Sequence, residues 1–399
     1  MEYAEEQENI VTKRALITQN FKQDLLGCCE ELLPSGHVAL AFTLRDTALA
    51  DEICAALGVQ KYRVSRFSYA PGTTPSQEAA EELINAADDI RLLVCAGDAD
   101  MADIVKFAAK ERGLPWVLCP STPDILSCAE GAAVLGWGAA GERVDCPPPA
   151  AVAASCALME ECAGRKKAEA YAALAAERLH CAEYECEDLI FGTRHKTAGL
   201  RELCAAALKA EDGATLAKFS LQAALQRQKD NLSGEGGGRA LARVLTAAQD
   251  DGRSVSENCF ICARVLNELY IMSLAWTGAD VFIPPDRAAA ACTLGRLCGG
   301  DKLSLISALE TGGDGDKTAY VIKEYREDML KILQKAAQNK KEHARTFRRM
   351  YEDAGFWLGK YVRPKDLIWL ARLYAATAPR KSLAGSVTGA LGAPHPIVP

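Results

Sequence analysis

The stretch Arg91–Leu135, RLLVCAGDADMADIVKFAAKERGLPWVLCPSTPDILSCAEGAAVL, constrains the fold more than any other part of the chain. Arg91 to Ala96 is a short apolar run closed by Gly97, the pattern of a buried strand and its turn. From Met101 to Arg112, the residues Met101, Ile104, Val105 and Ala108 fall on one helical face, and Gly113 supplies the stop. Trp116 to Cys119 reads as the next strand, and Pro120 and Pro123 force an extended loop beyond it. Strand, helix and strand at this spacing make a parallel crossover, and ligands sit beyond the carboxyl ends of such strands. The turn at Gly97 and the loop from Pro120 are therefore the expected place of a site.

The flanking chain extends the same pattern. Glu8–Leu33 reads as a leading helix ended by Pro34-Ser35-Gly36, followed by a strand at Val38–Phe42 and a helix at Asp46–Leu57. Lys61–Phe67 alternates as a strand, with Tyr62 and Val64 on one side. Thr74–Ala86 is a helix opened by Thr74-Pro75 and capped by Ser76 or Thr74. This alternation predicts a doubly wound, Rossmann-like parallel sheet. Pro147-Pro148-Pro149 marks the clearest boundary. Beyond it, Ala150–Tyr184, Leu200–Arg227, Gly238–Asp250, Ser254–Trp276, Pro285–Leu297, Lys317–Met350 and Pro364–Thr377 all carry helical periodicity. The expected class is α/β plus all-α: an N-terminal α/β nucleotide-binding-type domain over 1–146 and a C-terminal helical bundle over 147–399. The inter-domain cleft is expected at Gly97 and Pro120. The densely charged run Lys323–Arg349 reads as a solvated helix face, and Pro394–Pro399 as a loose tail.

Composition removes several function classes. A formal charge of −7 leaves no basic footprint for nucleic acid. No apolar run approaches the roughly 20 residues that cross a bilayer. Met1–Asn9 is acidic and polar, the opposite of a secretory leader, so a cytoplasmic protein is expected. The 16 cysteines lie scattered in apolar contexts such as Cys54, Cys95, Cys119 and Cys204, where a reduced thiol packs as a small hydrophobe. Cys259 and Cys262 have the spacing of a zinc pair, but no second pair accompanies them.

The block Gly97, then Asp103-Ile104-Val105-Lys106-Phe107-Ala108-Ala109, Gly113-Leu114-Pro115 and Pro120-Ser121-Thr122-Pro123-Asp124 resembles the sn-glycerol-1-phosphate dehydrogenases. These belong to the iron-containing alcohol dehydrogenase and dehydroquinate synthase-like superfamily. They carry a glycine turn, D-I-V-K/R-[FY]-A-A, G-[IL]-P and P-T-x-x-S-x-D-G. The resemblance implies a two-domain NAD(P)-dependent dehydrogenase with a zinc- or iron-type metal, interconverting dihydroxyacetone phosphate and glycerol-1-phosphate. It would place the cofactor at Gly97, Asp98 and Asp100, with Ser121 and Thr122 offering hydroxyls.

The residues themselves depart from that pattern where the chemistry is concentrated. The nucleotide turn reads Gly97-Asp98-Ala99-Asp100, so Ala99 replaces a second glycine and two carboxylates stand where a pyrophosphate would lie. Two unit charges about 4 Å apart repel by roughly 1 kcal/mol in water and about 4 kcal/mol at a surface-like dielectric. A helix capped by its own Asp100, with Asp103 three positions on, accounts for these residues without a ligand. The alternative is a cofactor held mainly by other contacts. In the loop, the family's acidic residue is Leu126 and its glycine is Ser127.

By the same resemblance, the three metal-ligand positions fall on Lys166, Arg243 and Pro285. Arginine does not deprotonate to coordinate a cation, and proline has no ligating side chain, so these residues do not support a divalent metal. His37, His180, His195, His343 and His395 read as solvated or structural. Lys166, Arg243 and Arg287 are candidates for a cationic pocket that takes a small phosphorylated molecule or carboxylate. Two functional classes follow: an NAD(P)-linked polyol-phosphate dehydrogenase, or a catalytically degenerate relative that binds a small anion or serves as an interaction or assembly subunit. A homo-oligomer is compatible with either.

Overall fold

Six parallel strands make the main sheet, in the order β1-β8-β5-β4-β2-β3. They are β1 (Arg14–Thr18), β2 (Gly36–Thr43), β3 (Tyr62–Tyr69), β4 (Ile90–Gly97), β5 (Trp116–Pro120) and β8 (Ala151–Ser155), while β6 (Ala132–Leu135) and β7 (Glu142–Asp145) pair as a separate antiparallel ribbon. The computed structural model describes residues 11–58, 61–136, 142–249, 254–275, 289–290, 292–293, 296, 315–353, 364–378, 382–384 and 386–387. Strands β2 and β4 are buried on both faces and read as continuous apolar runs, whereas the edge strand β3 exposes Arg63, Arg66 and Ser68. The expected doubly wound sheet followed by helices is the architecture observed.

Two compact units account for the chain. Unit 1 comprises Met1–Gly136, Gly141–Tyr171 and Lys209–Ser233; unit 2 comprises Trp137–Ala140, Ala172–Leu208 and Gly234–Pro399. In unit 1, α1 (Phe21–Leu32) and α2 (Thr47–Gly58) cover one sheet face, burying Leu25 and Ile53 against Leu40, Val94 and Val117. The helices α3 (Gln77–Ile84), α4 (Ala99–Arg112), α5 (Ile125–Cys128) and α6 (Cys156–Glu161) belong to the same unit. Helix α7 (Gly164–Phe191) begins in unit 1 and continues into unit 2, which adds α8 (Ala198–Ala207). The chain then returns to unit 1 for α9 (Gly213–Lys229). Unit 2 also holds α10 (Gly237–Gln249), α11 (Val255–Ala275), α12 (Gly315–Ala336), α13 (Lys340–Asp353) and α14 (Pro364–Thr377). No helix among the described residues is long and apolar enough to cross a membrane.

Four sequence expectations are corrected. The leading helix Glu8–Leu33 is, in its described part, a strand and a shorter helix, because Arg14–Thr18 pairs along its whole length with β8. The start of Ala150–Tyr184 is that same strand β8, not helix: the small residues Ala151, Ala153 and Ala154 are sheathed between β1 and β5, and pairing overrides alanine's helical preference. Leu200–Arg227 breaks into α8 and α9 at Asp212-Gly213, where the Asp212 carboxylate accepts from Thr215 N at 2.7 Å and starts a new helix. Lys317–Met350 breaks into α12 and α13 at Asn339, which stands at φ 61°, a left-handed turn that asparagine tolerates. The segment at Pro285–Leu297 falls largely outside the described residues.

Candidate functional site

At the carboxyl edge of the unit 1 sheet, Gly97 is in register with Pro120, and Ser121 N donates to Gly97 O at 2.9 Å. The β4 turn and the β5 loop therefore lie side by side, as the crossover requires. A Cβ on Gly97 would sit 2.7 Å from Met101 Cβ, so the glycine is needed for α4 to fold back on its own turn. The cap of α4 is Asp98 and not Asp100: the Asp98 carboxylate accepts from Met101 N at 3.5 Å, from an extended backbone. Asp100 falls inside the first turn. Asp46, in the 3-10 turn Leu44–Asp46 after β2, accepts from Thr43 Oγ1 at 2.6 Å and from the Ser121 hydroxyl.

The electrostatics of this edge are acidic. Burial, and next to it Asp98, raise the Asp46 carboxyl above its usual range, against the hydrogen bonds from Thr43 and Ser121. Surrounding protein, then Asp98 and Asp103, push the Asp100 carboxyl up; the residue keeps solvent access, so screening softens both effects. Lys166, at the start of α7, lies 3.0 Å from Glu169 Oε2 and 3.9 Å from Asp98 Oδ2. Burial acts to lower its ammonium, but Glu169 and Asp98 outweigh that and hold it above the ordinary lysine value.

The resemblance block has a structural meaning that sequence reasoning missed. Lys106 is fully buried, and its Nζ donates to Asp103 Oδ1 at 2.8 Å, Ala132 O at 3.0 Å and Ser127 O at 3.3 Å. The other Asp103 oxygen accepts from Val134 N at 3.1 Å. One ion pair on α4 thus clamps the whole loop that follows β5. Asp124 caps α5, accepting from Ser127 N at 3.2 Å, and Leu126 N donates to Ser220 Oγ at 2.7 Å. Thr122 is buried within this loop. The signal available in the sequence was a lysine three positions after an aspartate on an apolar helix face.

These residues do not fit the pyrophosphate of a dinucleotide. The space above Gly97 is taken by Met101, the start of α4 is occupied by its own carboxylate, and the Ser121 hydroxyl is committed to Asp46. An incoming dianion would face Asp46, Asp98 and Asp100.

The second group of expected site residues behaves similarly. In unit 2, Arg243 on α10 is ion-paired with Glu235, with Arg239 Nε 4.0 Å from the same carboxylate. Arg287 and Pro285 lie outside the described residues. Lys166 and Arg243 belong to different units. Among the described residues, no group of three or more His, Cys, Asp or Glu side chains is arranged to hold a metal ion. Each described histidine is engaged by protein: His37 with Asp89 and Ser65, His180 stacked on Tyr184, His195 with Asp188, and His343 with Arg178.

Where the resemblance would place a metal histidine, the chain has Ser233-Gly234-Glu235-Gly236-Gly237-Gly238. A Cβ at Gly236 would meet His180 at 2.7 Å, and one at Gly238 would meet Ala263 Cβ at 2.9 Å. The glycines let the start of α10 press onto α7 and α11. There Gly237 N donates to Glu183 Oε2 at 2.8 Å, and Tyr270 OH donates to Glu183 Oε1 at 2.8 Å. Glu183 is 4% exposed, and burial pushes its carboxyl up to about 8.

No family model matches the chain. A curated relative, glycerol-1-phosphate dehydrogenase [NAD(P)+] of Bacillus velezensis, is 24% identical over 155 residues, 38% of this chain and 39% of that protein. The match thus spans well under half of the curated relative's length. Among solved structures, glycerol dehydrogenase from Schizosaccharomyces pombe superposes with a TM-score of 0.55 at 13% identity, covering 85% of this chain and 95% of that one. A 1,3-propanediol oxidoreductase superposes with a TM-score of 0.55 at 15% identity, covering 90% and 91%. An iron-containing alcohol dehydrogenase from Thermococcus thioreducens gives a TM-score of 0.51 at 14% identity, covering 92% and 98%. The chain therefore has the fold of the iron-containing alcohol dehydrogenases, at a sequence distance where the fold is what the likeness shows.

Proposed function

We propose that this chain is a diverged oxidoreductase of the glycerol-1-phosphate dehydrogenase type in which metal-assisted hydride transfer has been lost, leaving a non-catalytic ligand-binding or assembly subunit. In the polyol dehydrogenases it resembles, a metal stabilises the alkoxide from which hydride leaves. The observation that carries the reading is Lys166. It stands at a position where the resemblance calls for a ligating aspartate, and its charge is absorbed by Glu169 and Asp98. The carboxylates Asp46, Asp98 and Asp100 disfavour a pyrophosphate at the same edge. A unit charge about 4 Å from a phosphate repels it by roughly 1 to 4 kcal/mol, with 1.4 kcal/mol to a factor of ten, so each of these groups that is ionised and unscreened lowers affinity.

A second reading is favoured by the curated relative: an NAD(P)-linked dehydrogenase acting on dihydroxyacetone phosphate and glycerol-1-phosphate, its cofactor held by contacts other than the turn. One titration separates the two. NADH and NADPH are added to the full chain with and without zinc, following tryptophan fluorescence and melting temperature. The first reading expects no saturable change at cofactor concentrations up to about 1 mM, the upper end of ordinary enzyme affinities. Micromolar saturation, together with oxidation of NADH that depends on dihydroxyacetone phosphate, would establish the second.

A further inference from the structure

The amino ends of β2, β3 and β4 share the sheet edge opposite the nucleotide turn, and they bring a serine, a histidine and an aspartate together. Strand β2 pairs in parallel with both neighbours, so His37 stands level with Arg63, and Ala39 with Ser65. Side chains alternate along a strand, so Arg63 and Ser65 share one face of β3 with His37 beside them on β2. The intervening Val38, Tyr62 and Val64 belong to the core under α1 and α2, on the other face. Asp89, the residue before β4, closes the group.

The contacts run in one line. Ser65 Oγ lies 2.7 Å from His37 Nε2, and His37 Nδ1 lies 2.9 Å from Asp89 Oδ1. His37 is 6% exposed, so its ring is shielded from water. Arg63 donates to the other Asp89 oxygen, and its Nη2 also lies 2.7 Å from His37 Nδ1. With the guanidinium spent on the carboxylate, each Asp89 oxygen takes one donor, and the ring proton belongs on Nδ1. Nε2 is then an acceptor, and the Ser65 hydroxyl donates to it. The hydrogen bond from His37 holds the Asp89 carboxyl below its ordinary range, and Arg63 adds to that. A hydroxyl donating to an imidazole whose far nitrogen is held by a carboxylate is the arrangement that activates a nucleophile. Ser65 sits on the edge strand, only partly buried, beside the exposed side chains of Arg63 and Asp89.

We propose that Ser65 is a nucleophile that takes the acyl group of an activated ester, with His37 as general base and Asp89 as the positioning residue. The Oγ lone pair forms the new bond to the carbonyl carbon, and the hydroxyl proton passes to His37 Nε2. The bond from that carbon to the leaving oxygen then breaks, and the leaving oxygen takes the proton held on Nε2. The products are a Ser65 ester and a free alcohol, with nothing oxidised or reduced. Asp89 fixes the ring tautomer and offsets the charge of the imidazolium that forms. The inference stands apart from the reading of the carboxyl edge, since it uses no residue there.

Reaction of the full chain with p-nitrophenyl acetate tests it, following nitrophenol release and mapping acetyl groups on peptides from acid-quenched samples. The expected result is an acetyl on Ser65, or release that continues beyond one equivalent, and Ser65→Ala should remove either. His37→Gln should slow the reaction at Ser65 by at least about a hundredfold, the lower end of what a general base contributes. Asp89→Asn should slow it more than about tenfold, because the wrong tautomer becomes available, and Asp89→Glu should recover most of the rate. Melting temperatures show whether each variant folds, and the mapping on the unaltered chain stands without them. Acetyl groups confined to lysines or to other serines, an unchanged rate at Ser65 in folded His37→Gln or Asp89→Asn, or release that survives Ser65→Ala would each overturn the proposal.

Discussion

Lys106 shows how much one buried charge can organise. Its three acceptors are a carboxylate on its own helix and two carbonyls of the loop beyond β5. Replacing it with methionine keeps the volume but strands the Asp103 carboxylate and both carbonyls, and such a loss costs about 3–5 kcal/mol. Denaturant unfolding of Lys106→Met at pH 7 measures this, and a change below 1 kcal/mol would refute the clamp. Glu183 makes the opposite kind of prediction. An unfolded glutamate titrates near 4.5, and the folded one is pushed up to about 8 by burial, with Glu187 and Glu177 adding repulsion. The folded state therefore holds the extra proton between those values. Its contribution is fully present below the unfolded value and declines as pH rises through about 8. Stability should fall by a few kcal/mol between about pH 5 and pH 8, and Glu183→Gln should flatten that slope. Parallel pH profiles for the two proteins would show that another group is responsible.

At the scale of elements, breaks matter more than helices. The α8–α9 break depends on Gly213, where any Cβ would drive into the Met159 carbonyl oxygen and also lie 2.8 Å from Cys162 Sγ. A carbonyl cannot swing aside like a flexible side chain, so Gly213→Ala should cost at least about 1–3 kcal/mol, the usual range for overpacking. Thermal melting checks it, with Gly58→Ala as a control at a helix position where nothing lies within 4 Å. The α12–α13 break depends on Asn339 and on the Arg178 donors that pin its turn, and it makes one wall of a cleft in unit 2. The charged run Lys323–Arg349, read from sequence as a solvated face, thus contributes Gln338, Lys340 and His343 to that cleft.

For the whole molecule, the question is whether a dehydrogenase architecture implies dehydrogenase chemistry. The fold is that of iron-containing alcohol dehydrogenases, yet the turn carries Asp98, and two of the positions that the sequence resemblance assigns to metal ligands carry Lys166 and Arg243, each tied into an internal pair or cap. Removing divalent ions with a chelator should therefore leave the melting temperature unchanged. A loss of several degrees that zinc restores would show that a metal contributes to the folded state after all.

Periodicity alone determined the crossover around Gly97, the parallel sheet and the helical character of the second half, because burial on one or both faces writes itself into local spacing. Tertiary structure alone decided that Ala151–Ser155 is a strand and that Lys106 and Glu183 are buried partners of distant backbone groups. Those outcomes rest on which segments become neighbours across tens of residues. Strand pairing, desolvation and close approach at glycine are energies of contact, and a contact between remote residues leaves no fixed spacing to read.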